Sequence, residues 1–219
     1  MTTERDIAQL CLEIYSPQAN IQWDVLELPV DGVAFGIKDF GTAKAIIFRG
    51  SVTAQDWLSD FEVFGDPFEH DGLGPVHPGF FRGLQELWHR LKPTLTTKPC
   101  IVAGHSLGAA RASLFTGLMV LDDKPPVRRL CFGEPRPGFP KAGGIIAQAR
   151  GRSYYNANGR AHDLVTDVPF TTWIEDFVHP TPLVPVCKPP SDDDVRRDFL
   201  FAWHSMALYA DAIPEVQII

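Results

Sequence analysis

Cysteine is scarce in this chain, bases are outnumbered by acids, and no apolar run is long. The four cysteines, Cys11, Cys100, Cys131 and Cys187, stand far apart and form no C-x-x-C pair, so neither a zinc site nor a disulfide framework is signalled. Cys100 and Cys131 sit at the edges of apolar runs, where a thiol serves as a small hydrophobe. No stretch approaches the roughly eighteen apolar residues that span a bilayer, and the start, MTTERDIAQL, carries acids where a signal peptide carries bases and then an apolar run. The expected location is therefore the cytoplasm, with non-classical export or a trimmed secretory chain as alternatives. A balance of 27 acids against 20 bases gives a formal charge of −7, which disfavours a phosphate backbone, so no nucleic-acid partner is expected. The densest charge run, residues 191–198, mixes both signs and reads as a solvated loop.

What is present suits one domain over residues 1–219, since 45% of the chain is hydrophobic and a chain of this length buries a full core. Ile7, Leu10, Cys11 and Ile14 recur as the stripe of an amphipathic helix that Pro17 ends. Residues 32–37 and 45–48 read as strands joined by a turn near residues 39–42. A helix presenting Phe80, Leu84, Leu87, Trp88 and Leu91 is expected to close at Pro93. Residues 129–133 read as another strand. Continuous apolar strands separated by helices predict an α/β fold with a mostly parallel central sheet covered by helices on both faces.

The chemistry concentrates at Gly104-His105-Ser106-Leu107-Gly108. A β-branched strand precedes this pentapeptide and a helix-forming stretch follows it, the context in which G-x-S-x-G holds a serine on a sharp bend of an α/β-hydrolase sheet. A side chain at 104 or 108 would collide with the neighbouring strand or helix. The competing reading of the isolated pentapeptide is a glycine-rich loop with a solvated serine. Because a serine hydroxyl is a weak nucleophile, it needs an imidazole to take its proton and a carboxylate behind that imidazole. In this fold the order along the chain is serine, acid, histidine. Asp163 and Asp167 both qualify as the acid, and His179 and His204 alone lie beyond them. His204 heads an apolar C-terminal helix, which suits a catalytic loop, whereas His179 beside Pro180 reads as a turn residue. His105 and His162 read as local packing or hydrogen-bonding groups. His70, Asp71 and His77 are separated by Gly and Pro, a loop rather than a metal cluster; no metal and no cofactor is expected.

Five segments, in order, resemble the class 3 lipases, also called fungal-type triacylglycerol lipases: Phe48-Arg49-Gly50-Ser51; Asp56-Trp57 with Asp60-Phe61; Val76-His77-Pro78-Gly79-Phe80; the serine pentapeptide; and residues 132–138, FGEPRPG. The resemblance implies an α/β-hydrolase fold and a Ser106-Asp163-His204 triad, since Asp163-Leu164-Val165 matches the family's acid segment better than Asp167 does, and His204-Ser205 with Tyr209 matches its histidine segment. It places the second oxyanion donor at Ser51, beside the Leu107 N–H that the helix start itself offers. It also implies a lid over about 52–68, with Trp57, Leu58, Phe61 and Phe64 as its apolar, substrate-binding face; the bland alternative for that stretch is an amphipathic helix packed on the core. The expected activity is hydrolysis of acyl esters of apolar lipids through an acyl-enzyme, with transient contact at a lipid interface. Phospholipase A1, feruloyl esterase or thioesterase chemistry on the same fold is the alternative, and a non-catalytic binding module the more distant one.

Overall fold

Residues 100–105 are buried at every position, which requires a strand covered on both faces. Around it, in the computed structural model, lie the described residues 2–17, 21–29, 32–51, 66–169, 177–198 and 201–219. Their strands are β1 (Val25–Glu27), β2 (Phe35–Asp39), β3 (Lys44–Phe48), β4 (Phe68–His70), β5 (Gly74–Val76), β6 (Cys100–His105), β7 (Arg128–Phe132), β8 (Gly151–Asn158), β9 (Ala161–His162) and β10 (Leu183–Val186). Their helices are α1 (Glu4–Glu13), α2 (Pro78–Phe81), α3 (Leu84–Leu95), α4 (Leu107–Leu121), α5 (Pro140–Ile146), α6 (Asp192–Arg197) and α7 (Met206–Ala212). The main sheet runs β1-β2-β3-β6-β7-β8-β10. Pairing is antiparallel from β1 to β3 and parallel from β3 to β10, as the alternation of strands and helices predicts.

The period of two in each strand sorts the core into two layers. On β3 and β6, Ala45, Ile47, Ile101 and Ala103 face Ile7, Leu10, Cys11 and Ile14 of the α1 segment and Tyr209 and Ala210 of α7. Their neighbours Ile46, Phe48 and Val102 face Phe80, Leu84, Trp88 and Phe115 on the opposite side. Helix α1 begins with a reciprocal cap: the Asp6 N–H donates to Thr3 Oγ1 at 3.1 Å, and the Thr3 N–H donates to Asp6 Oδ2 at 2.8 Å. Its Glu4 is wholly buried and accepts from Arg128 Nη2 at 2.6 Å, from Arg152 Nη1 at 3.2 Å and from the Tyr154 hydroxyl. The two chain ends pair, with the Glu4 N–H on Val216 O at 2.8 Å and the Ile218 N–H on Thr2 O at 2.9 Å.

Two local expectations change. The helix expected around Phe80 to Leu91 is two helices, α2 and α3, parted at Gly83, whose φ of 79° no right-handed turn accommodates. Nor does Pro93 close α3, which continues to Leu95. A proline in the last turn forfeits a single N–H bond, and the fully buried Leu95 keeps that turn on the core. The first strand of the β2-β3 hairpin also begins later than expected, at Phe35 rather than residue 32.

Candidate active site

Strand β6 delivers Ser106 to the carboxyl edge of the sheet and α4 starts one residue later, so the chain reverses at the serine itself. Ser106 has φ 61° and ψ −131°, a conformation that costs a non-glycine residue about 1–3 kcal/mol and persists only where its surroundings enforce it. Here the Ser106 N–H donates to Phe132 O at 3.0 Å. The flanking glycines allow the approach: a Cβ on Gly104 would lie 2.2 Å from Gly108 O, and one on Gly108 would lie 2.2 Å from Phe48 O. Helix α4 thus points its N-terminus, with the Leu107 N–H in its first turn, at the space beside the serine.

Behind this elbow the acid and the imidazole meet. Strand β8 ends at Asn158 and the short β9 returns the chain to Asp163, which caps the 3-10 turn Leu164–Asp167 by accepting from the Val165 N–H at 2.9 Å. Its other oxygen, Oδ2, accepts from His204 Nδ1 at 2.7 Å and from the Tyr209 hydroxyl at 2.5 Å. Burial pushes the Asp163 carboxyl up, but the neighbouring His204 and the three donors outweigh it and hold the group below the usual carboxylate range. Asn156 anchors the histidine segment, its Nδ2 donating to Lys188 O at 2.8 Å and Trp203 O at 3.3 Å, while its own N–H donates to the Tyr209 hydroxyl at 3.0 Å. With Nδ1 committed to Asp163, His204 Nε2 is left buried without a hydrogen-bond partner among the described residues. The residue lines a pocket of about 270 Å³ together with Ser106 and Ser51. Leu12, Tyr15, Phe201, Met206 and Ala207 supply much of the remaining wall.

The structure therefore brings Ser106, Ser51, Asp163 and His204 to one place and excludes Asp167 from it. Asp167 Oδ2 instead lies 2.7 Å from His162 Nε2 on a partly exposed surface. His179 also points elsewhere, its Nε2 on Thr166 O at 2.9 Å. Trp57, Leu58, Phe61 and Phe64, the residues expected to form a lid, lie outside the described residues.

A family model described as Lipase (class 3) matches residues 45–173, more than half of the chain. The chain belongs to the class 3 lipases. Within curated proteins it resembles "Putative lipase LIH1" of Saccharomyces cerevisiae, 35% identical over 102 residues. That match covers 35% of this chain and spans only about a third (31%) of the relative's length. Two solved structures share its fold. The triacylglyceride lipase of Rhizomucor miehei is 19% identical with a TM-score of 0.64, over 83% of this chain and 77% of that one. The mono- and diacylglycerol lipase of Aspergillus oryzae is 19% identical with a TM-score of 0.64, over 87% and 82%.

Two residues that build this class 3 lipase site lie in a motif whose sequence does not tell their contacts. Gly133, at φ +55°, passes so close beneath the acid–imidazole pair that an added Cβ would lie 2.6 Å from Asp163 Oδ2 and 2.7 Å from His204 Cε1. Next to it Glu134 is fully buried in a polar cluster. It pairs with Arg129 Nη1 at 3.2 Å and accepts from the Ser113 and Ser153 hydroxyls, while Arg129 Nη2 donates to Thr181 at 3.0 Å. This cluster fixes the loop after β7 on which Gly133 sits. The FGEPRPG motif points to residues 133 and 134, but not to what they touch.

Proposed function

We propose that this chain is a serine hydrolase that cleaves acyl esters of apolar lipids through a covalent acyl-enzyme. Ser106 attacks the ester carbonyl while His204 Nε2 takes its proton; the same nitrogen then protonates the departing alcohol. Asp163 keeps the proton of the neutral imidazole on Nδ1 and stabilises the imidazolium that forms. A water, deprotonated by His204, releases the fatty acid and restores Ser106. The oxyanion of each tetrahedral intermediate is met by the Leu107 N–H at the start of α4 and by Ser51, each such donor contributing roughly 3 kcal/mol to the transition state. The observation carrying this reading is the 2.7 Å contact of His204 Nδ1 with Asp163, which leaves Nε2 without a hydrogen-bond partner among the described residues, on a ring that lines the same pocket as Ser106. The similarity to acylglycerol lipases and the apolar walls contributed by Leu12, Phe201 and Met206 favour apolar acyl esters.

A fluorophosphonate probe should label wild type and fail to label Ser106→Ala, which should also lose esterase turnover. Undiminished activity in that variant refutes the assignment. A series of p-nitrophenyl esters of rising acyl length, set beside triacylglycerol, phospholipid and feruloyl substrates, tests the substrate class: a short-chain or aromatic-acyl optimum overturns the lipid reading.

A further inference from the structure

Tyr15 follows the end of α1, and His105 precedes the elbow serine. Neither belongs to the triad; His105 is buried beside it and Tyr15 is partly buried at the wall of the same pocket. His105 Nε2 lies 2.7 Å from the backbone carbonyl of His204, and His105 Nδ1 lies 2.8 Å from the Tyr15 hydroxyl. Burial first, and the neighbouring His204 next, push the His105 imidazole down to about 3, so the ring is neutral and carries one N–H. A carbonyl oxygen only accepts, which places that hydrogen on Nε2 and makes Nδ1 the acceptor of the Tyr15 O–H. Burial raises the Tyr15 phenol above its ordinary value, so the hydroxyl remains a donor. The neutral His105 ring also lies against the His204 ring, with centroids 4.5 Å apart and planes at 28°. A neutral neighbour does not repel the imidazolium that His204 becomes during turnover.

The same hydroxyl reaches the strand that leads to Ser51. The approach is so close that a Cβ on Gly50 would lie 2.3 Å from Tyr15 Oη, 2.7 Å from His105 O and 3.0 Å from Ser106 Cβ. Helix α1 is held at its start by Glu4, so Tyr15 is presented from an anchored element. We infer that Tyr15 and His105 are a positioning pair that locks the backbone of His204 and the Gly50-Ser51 strand end against the elbow, fixing the base and the second oxyanion donor relative to Ser106. This inference rests on the Ser106-Asp163-His204 reading given above.

The test uses the full chain and p-nitrophenyl butyrate, with kcat and KM measured for wild type, Tyr15→Phe, His105→Leu, His105→Gln and the double variant Tyr15→Phe/His105→Leu. Tyr15→Phe should lower kcat about tenfold with KM within about twofold of wild type, because positioning of the reacting groups is lost while the pocket walls are kept. His105→Leu should lose about 30-fold or more. His105→Gln, whose amide can still donate to the His204 carbonyl, should recover most of that loss. The double variant should fall no further than His105→Leu, since the two residues act as one unit. Values of kcat within twofold of wild type in Tyr15→Phe and His105→Leu, losses that multiply in the double variant, or a glutamine no better than leucine overturn the pair. If His105→Leu does not fold, Tyr15→Phe decides alone, because it removes a single oxygen. A wild type that is neither labelled by fluorophosphonate nor active refutes the triad reading itself and the pair with it.

Discussion

Replacing Asp163 by Asn swaps one oxygen for an amide in a fully buried place where three donors converge: the Val165 N–H, the Tyr209 hydroxyl and His204 Nδ1–H. An amide has one acceptor and one donor end. If its oxygen is turned toward His204, the NH₂ group faces the Val165 N–H, donor against donor, at a cost of about 1–3 kcal/mol for the buried group left unmet. If the oxygen stays on Val165, the NH₂ group faces His204 Nδ1 and the Tyr209 oxygen, both of which can accept once the imidazole changes tautomer. The second orientation meets both amide hydrogens at the cost of the acceptor of the Tyr209 O–H. It places the imidazole proton on Nε2, the nitrogen that must accept from Ser106.

The expected loss is therefore that of a wrong tautomer, about 10⁴-fold in kcat, or about 5 kcal/mol of transition-state stabilisation. The assay is turnover of a p-nitrophenyl ester together with the rate of fluorophosphonate labelling of Ser106, both of which should fall. Asp167→Asn is the control. Asp167 faces His162 and not His204, so that variant should stay within about twofold of wild type. An Asp163→Asn enzyme keeping more than about a tenth of wild-type kcat, or an Asp167→Asn enzyme losing as much as Asp163→Asn, refutes the assignment of the acid.

Gly133→Ala should abolish most activity, on the order of 100-fold or more, because its Cβ would meet Asp163 Oδ2 at 2.6 Å on a backbone already at φ +55°; Gly144→Ala, with nothing within 4 Å of its Cβ, should leave turnover unchanged in the same assay. Glu4→Ala removes the only carboxylate within salt-bridge distance of the buried Arg128 among the described residues and should cost about 3–5 kcal/mol, lowering the unfolding midpoint by on the order of 10 °C; a shift under about 2 °C contradicts this. Hydrogen bonding to Asp167 raises the pKa of His162 above its ordinary value, so this pair stabilises fully below the unfolded-state value of about 6.5 and loses that contribution as pH rises through the higher folded-state value. Thermal unfolding followed between about pH 6 and pH 8 should show a loss of stability that His162→Gln flattens, and an unchanged slope in that variant would be contrary to the assignment.

Legibility in the sequence followed how local each cause is. The elbow at Ser106 needs two glycines and a small side chain within five residues, all bounded by a strand and a helix, so the pentapeptide encodes its own geometry. His204 was reachable because chain order restricts the histidine to the stretch after the acid. Asp163 and Asp167 could not be separated by residue type: both are loop aspartates four positions apart, and what distinguishes them is which carboxylate the return of β9 turns toward the C-terminal segment. The same reasoning explains the misread helix around Gly83, where tertiary burial of Leu84 and Leu95 overrode the apparent stop at Pro93.

What escaped a sequence reading is contact between residues distant along the chain. Tyr15 meets His105 across 90 positions and has no spacing that marks it; Tyr209 fits the family's histidine segment, but nothing local tells that its hydroxyl meets Asp163 across 46. Both are delivered by helices on the same face of the sheet, α1 and α7, whose apolar stripes were visible while the purpose of their polar positions was not. That face accordingly has two tasks. It buries Ile7, Ile14, Ala210 and Ile213 against the strands, and it presents two hydroxyls at the end of the sheet where His204 and Asp163 meet. A core that only needed filling would accept phenylalanine at either position. Retention of the hydroxyl at 15 and 209 matters because each oxygen meets a buried donor or acceptor that would otherwise be left unpaired. Substituting both tyrosines should therefore lower kcat much more than it lowers the unfolding midpoint, whereas a purely structural role would make the two fall together.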